Sequence, residues 1–209
     1  MPGINAAVVD FETANPHHAS LLSVGAARVV DGTIIRKYHQ LVRPTAPYDA
    51  FYRRNVDIHG IRPEHVIDAP DWADVAPGVL RSLLSGGPIV AHGAMSADLS
   101  MLNQALTAAG LAMPTVPYVC TQAMARQLLP GLPSYRLPDL VQHTLGRTMV
   151  GHHDAGEDAA ATAEVLIAMC TMAGVDDLTP FVKYRRPKNT PLAPPKTNRW
   201  AMLAPVPIG

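Results

Sequence analysis

Three short acidic stretches, set far apart in the chain, constrain what this sequence can fold into. Each stretch places a carboxylate at the edge of an apolar segment: Asp10 and Glu12 near the start, Asp98 in the middle and Asp158 late in the chain. An unpaired charge is costly at such a position, so four carboxylates that converge in one fold need cations to hold them together. Oxygen ligands of this kind suit hard divalent ions, and magnesium typically binds a few carboxylates together with substrate phosphates.

Composition is typical of one ordinary domain. Of the 209 residues, 48% are apolar and 16% are charged, which is enough apolar material for a sizeable core. No run of about eighteen apolar residues occurs, so no membrane span is expected. The first residues lack the basic and apolar regions of a signal peptide. Cys120 and Cys170 are isolated in sequence, which predicts buried thiols in a reducing cytoplasm and neither a disulfide framework nor a zinc site.

The formal net charge of zero conceals an asymmetry. Residues 181–209 contain six basic and no acidic side chains, whereas the other 180 residues carry 11 basic and 17 acidic ones. An acidic body is unusual for a protein that binds nucleic acid. It is less unusual if several of the acids are metal ligands, because bound cations would reverse the local field.

The composition changes near residue 179, where prolines become frequent. Such a sequence favours an extended, nonhelical segment. We therefore divide the chain into a domain at 1–178 and a basic, proline-rich C-terminal tail at 179–209. Two interpretations of the tail stay open. It is either a solubilising extension or an arm that packs on the body or on a partner, with Trp200, Met202 and Leu203 as its apolar anchor.

Apolar patterns predict the order of the main elements. Residues 6–12 form an apolar run that ends in acids, as in a buried central strand. Asp31-Gly32 is a two-residue hairpin signal between branched segments at 21–30 and 33–42. Further strands are expected at 89–91 and 116–120, and helices at 71–84, 98–109, 121–129, 136–145 and 157–173. Residues 43–70 contain four prolines and predict an irregular connection with one helical turn after Arg62. This order predicts an α/β fold, with helices on both sides of a mixed sheet.

Taken singly, the acidic motifs do not distinguish a functional site from an ordinary structural role. Asp10 and Glu12 lie two residues apart, so both side chains share one face of a strand, yet an Asp-x-Glu pair is commonly just a solvated strand end. Asp98 opens a helix, where an acid is a routine N-terminal residue. Their order is more informative. Asp-x-Glu ends a first strand, an Asp follows a strand that ends in Val-Ala-His, and His-x4-Asp opens the last helix, all within about 150 residues.

This ordered set resembles the DEDDh branch of the DnaQ-like 3′–5′ exonucleases, the family of the DNA polymerase III epsilon subunit. The resemblance covers roughly residues 5–173 and includes several further motifs: Asp10-Phe11-Glu12-Thr13-Ala14-Asn15, His59-Gly60-Ile61, Cys120-Thr121 and Tyr135-Arg136-Leu137-Pro138-Asp139-Leu140. It implies an RNase H-like α/β fold, with a mixed central sheet of about five strands flanked by helices. It also implies a 3′–5′ exonuclease that releases nucleoside 5′-monophosphates.

The resemblance also implies a site. Its metal ligands would be four carboxylates holding two Mg²⁺ or Mn²⁺ ions: Asp10, Glu12, Asp98 and Asp158. His153 would be the general base that takes a proton from the attacking water. The neighbouring His152 is the alternative base, but the His-x4-Asp spacing favours His153. Residues implied to contact substrate are Thr13, Ala14 and His92.

The middle motif departs from the family pattern. Many relatives have Ala-His-Asn-Ala-x-Phe-Asp, whereas here Gly93 replaces Asn, Ala97 replaces Phe, and one residue is added before Asp98. An alternative function is therefore a nucleic-acid-binding or scaffolding protein with a catalytically weakened exonuclease fold. A phosphatase would share the metal chemistry but not the order of motifs.

Expected partners are single-stranded nucleic acid or a 3′ end, and a polymerase or a second copy of the chain. No membrane is expected as a partner. DNA is favoured, although DNA and RNA differ by a 2′-hydroxyl that no residue here addresses.

Overall fold

A computed structural model of the protein describes residues 3–188 and 192–193. Its described residues contain a mixed sheet of six strands: β1 (Ala6–Thr13), β2 (Leu21–Val30), β3 (Thr33–Leu41), β4 (Ile89–Ala91), β5 (Val116–Cys120) and β6 (Lys183–Arg185). The strand order is β3-β2-β1-β4-β5-β6. The first three strands are antiparallel, β4 and β5 run parallel to β1, and β6 is antiparallel to β5. The α/β fold with a mixed sheet is therefore confirmed, with six strands where about five were expected.

Helices cover both faces of the sheet. They are α1 (Arg53–His59), α2 (Trp72–Leu84), α3 (Asp98–Ala108), α4 (Thr121–Leu128), α5 (Leu137–Leu145) and α6 (Ala155–Ala173), with short 3-10 helices at Pro63–His65 and Thr179–Phe181. One apolar core lies between the sheet and α2 and α3, and a second lies between the sheet and α4, α5 and α6. Because β1 is covered on both faces, it is an almost continuous apolar run. Within the described residues, no helix has the length and hydropathy that crossing a bilayer requires.

The β2–β3 hairpin forms as predicted. Asp31 and Gly32 both have positive φ, 48° and 71°, and Val30 pairs with Thr33 across the turn. Positive φ at both central residues is the mark of a type I′ turn, whose twist matches that of the strands it joins. The turn sets the register of its two adjacent pairs, and a bulge between Arg28 and Val29 shifts the register of the remaining pairs.

Three elements were not predicted, and each lacks a periodic signal: helix α1, strand β6 and the 3-10 helix at Thr179–Phe181, which lies in the segment expected to be nonhelical. Helix α1 lies in the segment expected to be irregular, and its seven residues bury Val56 alone. Strand β6 has the sequence Lys-Tyr-Arg, in which Lys183 and Tyr184 are exposed and Arg185 is buried. β6 also lies within the predicted tail, so the sheet continues into that segment. The tail's proposed apolar anchor of Trp200, Met202 and Leu203 lies outside the described residues.

The alternation of side chains along β1 directs its acids toward α6. Val9 and Phe11 belong to the core under α2 and α3, and the Phe11 ring packs edge-to-face on Trp72 with centroids 6.2 Å apart. Asp10 and Glu12 therefore emerge on the opposite face. Both are only partly buried, whereas their neighbours in β1 are buried.

Candidate active site

Carboxylates from distant parts of the chain meet at the end of β1. Asp10, Glu12 and Asp158 each bring one oxygen to within 4.8 Å of the others. Asp98, the first residue of α3, is 2% exposed, and its Oδ2 atom has no hydrogen-bond partner among the described residues. All four acids line one open cleft of about 490 Å³. The fold thus brings together the acids that the sequence predicted.

Burial and neighbouring charges raise the pKa values of three of these acids. Burial, followed by the charges of Asp158 and Asp98, raises the pKa of Glu12 to about 8. Burial and the surrounding carboxylates hold the pKa of Asp10 well above its usual range. Burial also raises the pKa of Asp98 to about 7, although hydrogen bonds from the backbone oppose this. Without a cation the cluster therefore favours protonated carboxyls at neutral pH.

The beginning of α6 positions Asp158. Asp154 is the N-cap, and its Oδ1 accepts a hydrogen bond of 3.0 Å from the Glu157 amide, as capping aspartates commonly do. The amide of His153 donates to Asp158 Oδ2 over 3.1 Å. His153 itself has φ of 72°, an uncommon value for a non-glycine residue. This left-handed turn directs both the backbone and the ring of His153 toward the acids.

Two histidines face the carboxylates. His153 Nδ1 lies 3.8 Å from Glu12 Oε1, with its side chain 42% exposed. His152 Nδ1 lies 3.0 Å from Asp158 Oδ2, and the two imidazoles stack with centroids 3.8 Å apart. Burial and the adjacent His152 lower the pKa of His153, while Asp158 opposes this shift. The assignment of the base to His153 stays a prediction, since both rings reach the cluster.

His92 links two elements beside the cleft. Its Nδ1 lies 3.0 Å from Thr121 Oγ1, and that hydroxyl donates to the Ala91 carbonyl over 3.5 Å. Burial lowers the pKa of His92 to about 4, so the ring is neutral at physiological pH. The contact joins the end of β4 to the beginning of α4. The ring also lines the cleft, and its predicted contact with substrate remains untested.

The backbone groups of Thr13 and Ala14 form hydrogen bonds within the protein. The Thr13 carbonyl accepts from Asn55 Nδ2 over 3.0 Å and lies 3.1 Å from His59 Nε2. Ala14 has a fully buried side chain, donates its amide to Ser20 and accepts from the Tyr52 amide, each over 2.8 Å. Helix α1 and its flanks thus support the chain just after Glu12. The substrate roles of Thr13 and Ala14 stay predictions.

Sequence reasoning did not assign roles to some residues that line the cleft. Gln122 and Arg136 are among them. Arg136 precedes α5 and brings a guanidinium to an otherwise acidic site. Gln122 follows the Cys120-Thr121 motif and Arg136 lies within the motif from Tyr135 to Leu140. Both motifs carry the family resemblance, so they could have indicated these two residues from the sequence.

The fold and the acidic cleft are those of an exonuclease domain. The RNase_T exonuclease family model matches residues 7–166, and the chain belongs to this family. Among solved structures, it is similar to exonuclease X in complex with 5′ overhanging duplex DNA, with a TM-score of 0.64 and 28% identity over 81% of this chain and 93% of that one. The nuclease domain of 3′hExo, a DEDDh family member bound to rAMP, has a TM-score of 0.69 at 14% identity, over 88% and 97% of the two chains. The predicted RNase H-like fold and the resemblance to an exonuclease family are confirmed.

Curated relatives include PolC-type DNA polymerase III and a DNA polymerase III epsilon subunit. The chain is 32% identical to the PolC-type DNA polymerase III of Thermotoga petrophila over 186 residues, which is 88% of this chain and 13% of that polymerase. It is 27% identical to the DNA polymerase III epsilon subunit of Aquifex aeolicus over 77% of each protein. The chain therefore spans about an eighth of the PolC-type relatives it matches.

Proposed function

We propose that the protein is a metal-dependent 3′–5′ exonuclease. It would hydrolyse the terminal phosphodiester of a single-stranded nucleic acid or of a 3′ end and release nucleoside 5′-monophosphates. The observation that carries this proposal is the meeting of Asp10, Glu12 and Asp158, with ligand oxygens within 4.8 Å of one another. His153 lies beside them, 3.8 Å from Glu12.

The donor set fits hard divalent cations. Carboxylate oxygens are the ligands that Mg²⁺ and Mn²⁺ prefer. Burial and neighbouring carboxylates raise the pKa values of Glu12 and Asp98, and a bound cation would reverse these shifts. Asp98 Oδ2 is buried without a partner among the described residues, as expected of an oxygen that awaits a ligand. We assign two ions to Asp10, Glu12, Asp98 and Asp158. Such ions activate water and neutralise charge on the transferred phosphoryl group.

The chain's own residues hold the substrate and move the proton. His153 Nδ1 faces Glu12, which leaves Nε2 to accept the proton of the attacking water. The lowered pKa keeps that nitrogen free at neutral pH. The His153 amide and the His152 ring hold the Asp158 carboxylate in place. Arg136 offers a guanidinium to the phosphate in a cleft whose other charged groups are mostly acidic.

DNA is the favoured substrate. Its support comes from the relatives, which are named as DNA polymerase III components, and from exonuclease X, whose structure holds duplex DNA. By the same support, a polymerase is a candidate partner. A second copy of the chain is the other candidate.

A second candidate function is nucleic-acid binding with weakened catalysis. Within the described residues, Asp98 is not among the acids whose ligand atoms lie within 4.8 Å of one another. The altered residues at 93–97 immediately precede it, and Ala97 has an unusual backbone conformation, with φ of −123° and ψ of −93°. A displaced Asp98 would weaken one metal position while leaving the fold intact.

Labelled oligonucleotides test the proposal. We expect single-stranded DNA labelled at its 3′ end to release labelled mononucleotide at once, and the same strand labelled at its 5′ end to shorten stepwise. Cleavage should require Mg²⁺ or Mn²⁺ and stop with chelator. A matched RNA strand measures sugar preference. Attack from the 5′ end, or cleavage that survives chelation, would refute the proposal, whereas tight binding without cleavage would favour the second candidate.

A further inference from the structure

A basic segment after the catalytic domain is built into the sheet. We call residues 183–188 the basic strap. Its first three residues form β6, where Lys183 pairs with Tyr118 and Arg185 pairs with Val116. Arg185 is 6% exposed, and its Nη1 lies 3.7 Å from Met95 Sδ. The backbone of the basic strap is therefore fixed at the β6 edge.

The far end of the basic strap is tied to α3. The Lys188 amide donates to Asn103 Oδ1 over 3.2 Å, and Asn103 Nδ2 donates to the Lys188 carbonyl over 3.4 Å. Asn103 is 5% exposed, and both of its side-chain polar atoms hydrogen-bond to the backbone of Lys188. Further along, the Ala193 carbonyl lies 2.9 Å from His17 Nε2.

Each of these anchors lies close in sequence to a residue of the candidate metal site. Met95 is three residues before Asp98, and His17 is five residues after Glu12. Asn103 is five residues after Asp98 on α3, which is about 7.5 Å along the axis at 1.5 Å per residue. A cavity of about 330 Å³ is lined by both Gln122, which also lines the cleft, and Lys183 of the basic strap. The basic strap thus begins at a cavity that shares a lining residue with the cleft.

The side chains of the basic strap suit nucleic acid. Lys183, Arg186 and Lys188 are exposed, and none of them takes part in an ion pair among the described residues. Tyr184 is 71% exposed between them. Cations that follow a backbone, interleaved with an aromatic ring on which a base can stack, are the elements of a single-strand binding surface.

We propose that the basic strap binds the phosphates of the nucleic-acid strand whose 3′ end occupies the cleft. This inference rests on the proposed function. The basic strap would supply the positive charge that the acidic domain lacks for binding phosphates. Phosphates a few nucleotides from the scissile bond would meet Lys183, Arg186 and Lys188. The terminal nucleotide would not contact these three side chains.

The test is a charge-neutral variant of the full chain, with Lys183→Gln, Arg186→Gln and Lys188→Gln together. The three side chains are exposed, so the fold should be retained, which thermal unfolding checks. Binding of a single-stranded DNA and of a matched RNA is measured in chelator, where no cleavage occurs, over a range of salt. We expect an affinity loss of about tenfold or more at low salt. The slope of log K against log[salt] should become shallower by up to about 2, at about 0.7 for each lost phosphate contact.

A matched control removes the same charge elsewhere. Arg36→Gln, Lys37→Gln and Arg81→Gln are exposed substitutions, two of them on β3 at the opposite edge of the sheet from β6. This triple variant should keep most of its affinity and salt slope. Equal losses in the two variants, or no loss in the basic-strap variant, would overturn the inference. Wild-type protein that binds neither oligonucleotide would overturn it too.

A dinucleotide separates this inference from the proposed function. Because a dinucleotide is too short to reach the basic strap, the basic-strap variant should cleave it at the wild-type rate in Mg²⁺. Failure of the wild type to cleave both the dinucleotide and longer single-stranded DNA, with binding in chelator intact, would refute the proposed function but not the binding by the basic strap. Slower dinucleotide cleavage by the variant would place the basic strap in the chemistry and overturn the inference as stated.

Discussion

Gly25 lies so close to Ala155 that a Cβ at position 25 would stand 1.8 Å from the Ala155 carbonyl oxygen. Gly25 is also the partner of Asp10 in the β1–β2 ladder. The missing side chain therefore lets the N-terminus of α6, which carries Asp158, approach the strand that carries Asp10. The spacing of the acids depends on this contact.

Gly25→Ala should separate those acids. The added methyl meets backbone, which cannot move aside as a flexible side chain can, so we expect destabilisation of about 1–3 kcal/mol together with weaker Mn²⁺ binding. Denaturant unfolding and metal titration measure the two effects. Gly78→Ala is the control, since no atom lies within 4 Å of its added Cβ in helix α2, and it should be neutral or stabilising. Unchanged Mn²⁺ affinity in Gly25→Ala would show that the approach of α6 does not set the site.

Asp10→Asn should abolish nuclease activity and raise the melting temperature of the metal-free protein. Burial, together with the neighbouring carboxylates, raises the pKa of Asp10, so its ionisation opposes folding, and this cost grows as pH rises above the ordinary value near 4. Removing the charge relieves the cost. Scanning calorimetry at pH 8 in chelator checks the sign, and added Mg²⁺ should stabilise the wild type but not the variant. A variant that keeps more than about a tenth of the wild-type rate would argue against the two-ion assignment.

The two neighbouring histidines should differ in effect. His153→Ala should lower turnover on the order of a hundredfold, with little change in metal affinity, as expected on losing a general base. His152→Ala should do much less, and His152→Asn should do least because its amide can still donate to Asp158. Single-turnover rates at saturating Mn²⁺ make the comparison. If His152→Ala were the more damaging, the base would be His152 and the spacing argument would be wrong.

His92 should make the fold sensitive to mild acid. Its pKa is lowered to about 4 by burial, so between about pH 6.5 and 4 the unfolded chain takes up a proton that the folded ring does not. The contribution of His92 to stability is therefore present above pH 6.5 and is lost as pH falls through that window. His92→Asn, which keeps a polar atom near Thr121, should flatten this part of the curve of unfolding free energy against pH. An identical pH dependence in wild type and variant would contradict the assignment.

Much of this structure was predictable because the signals are local. The apolar run of β1, the Asp31-Gly32 turn and the helical periodicity of α2 each report on a few neighbouring residues. Elements with long apolar patterns were therefore placed correctly. Helix α1 and strand β6 were not, because one buries Val56 alone and the other exposes Lys183 and Tyr184. Their stability comes from neighbouring elements, and a local pattern does not contain that information.

The sequence by itself predicted which acids would meet, since the order Asp-x-Glu, Asp and His-x4-Asp is a property of the chain. Tertiary structure alone decided how they meet. The close approach of Gly25 to Ala155 sets the distance between β1 and α6, and the left-handed turn at His153 directs two imidazoles at the carboxylates. It also fixed the basic strap against α3 through Asn103. Contacts between residues distant in sequence carry that information, because the distances between these carboxylates, and the pKa values that follow from them, depend on separation in space.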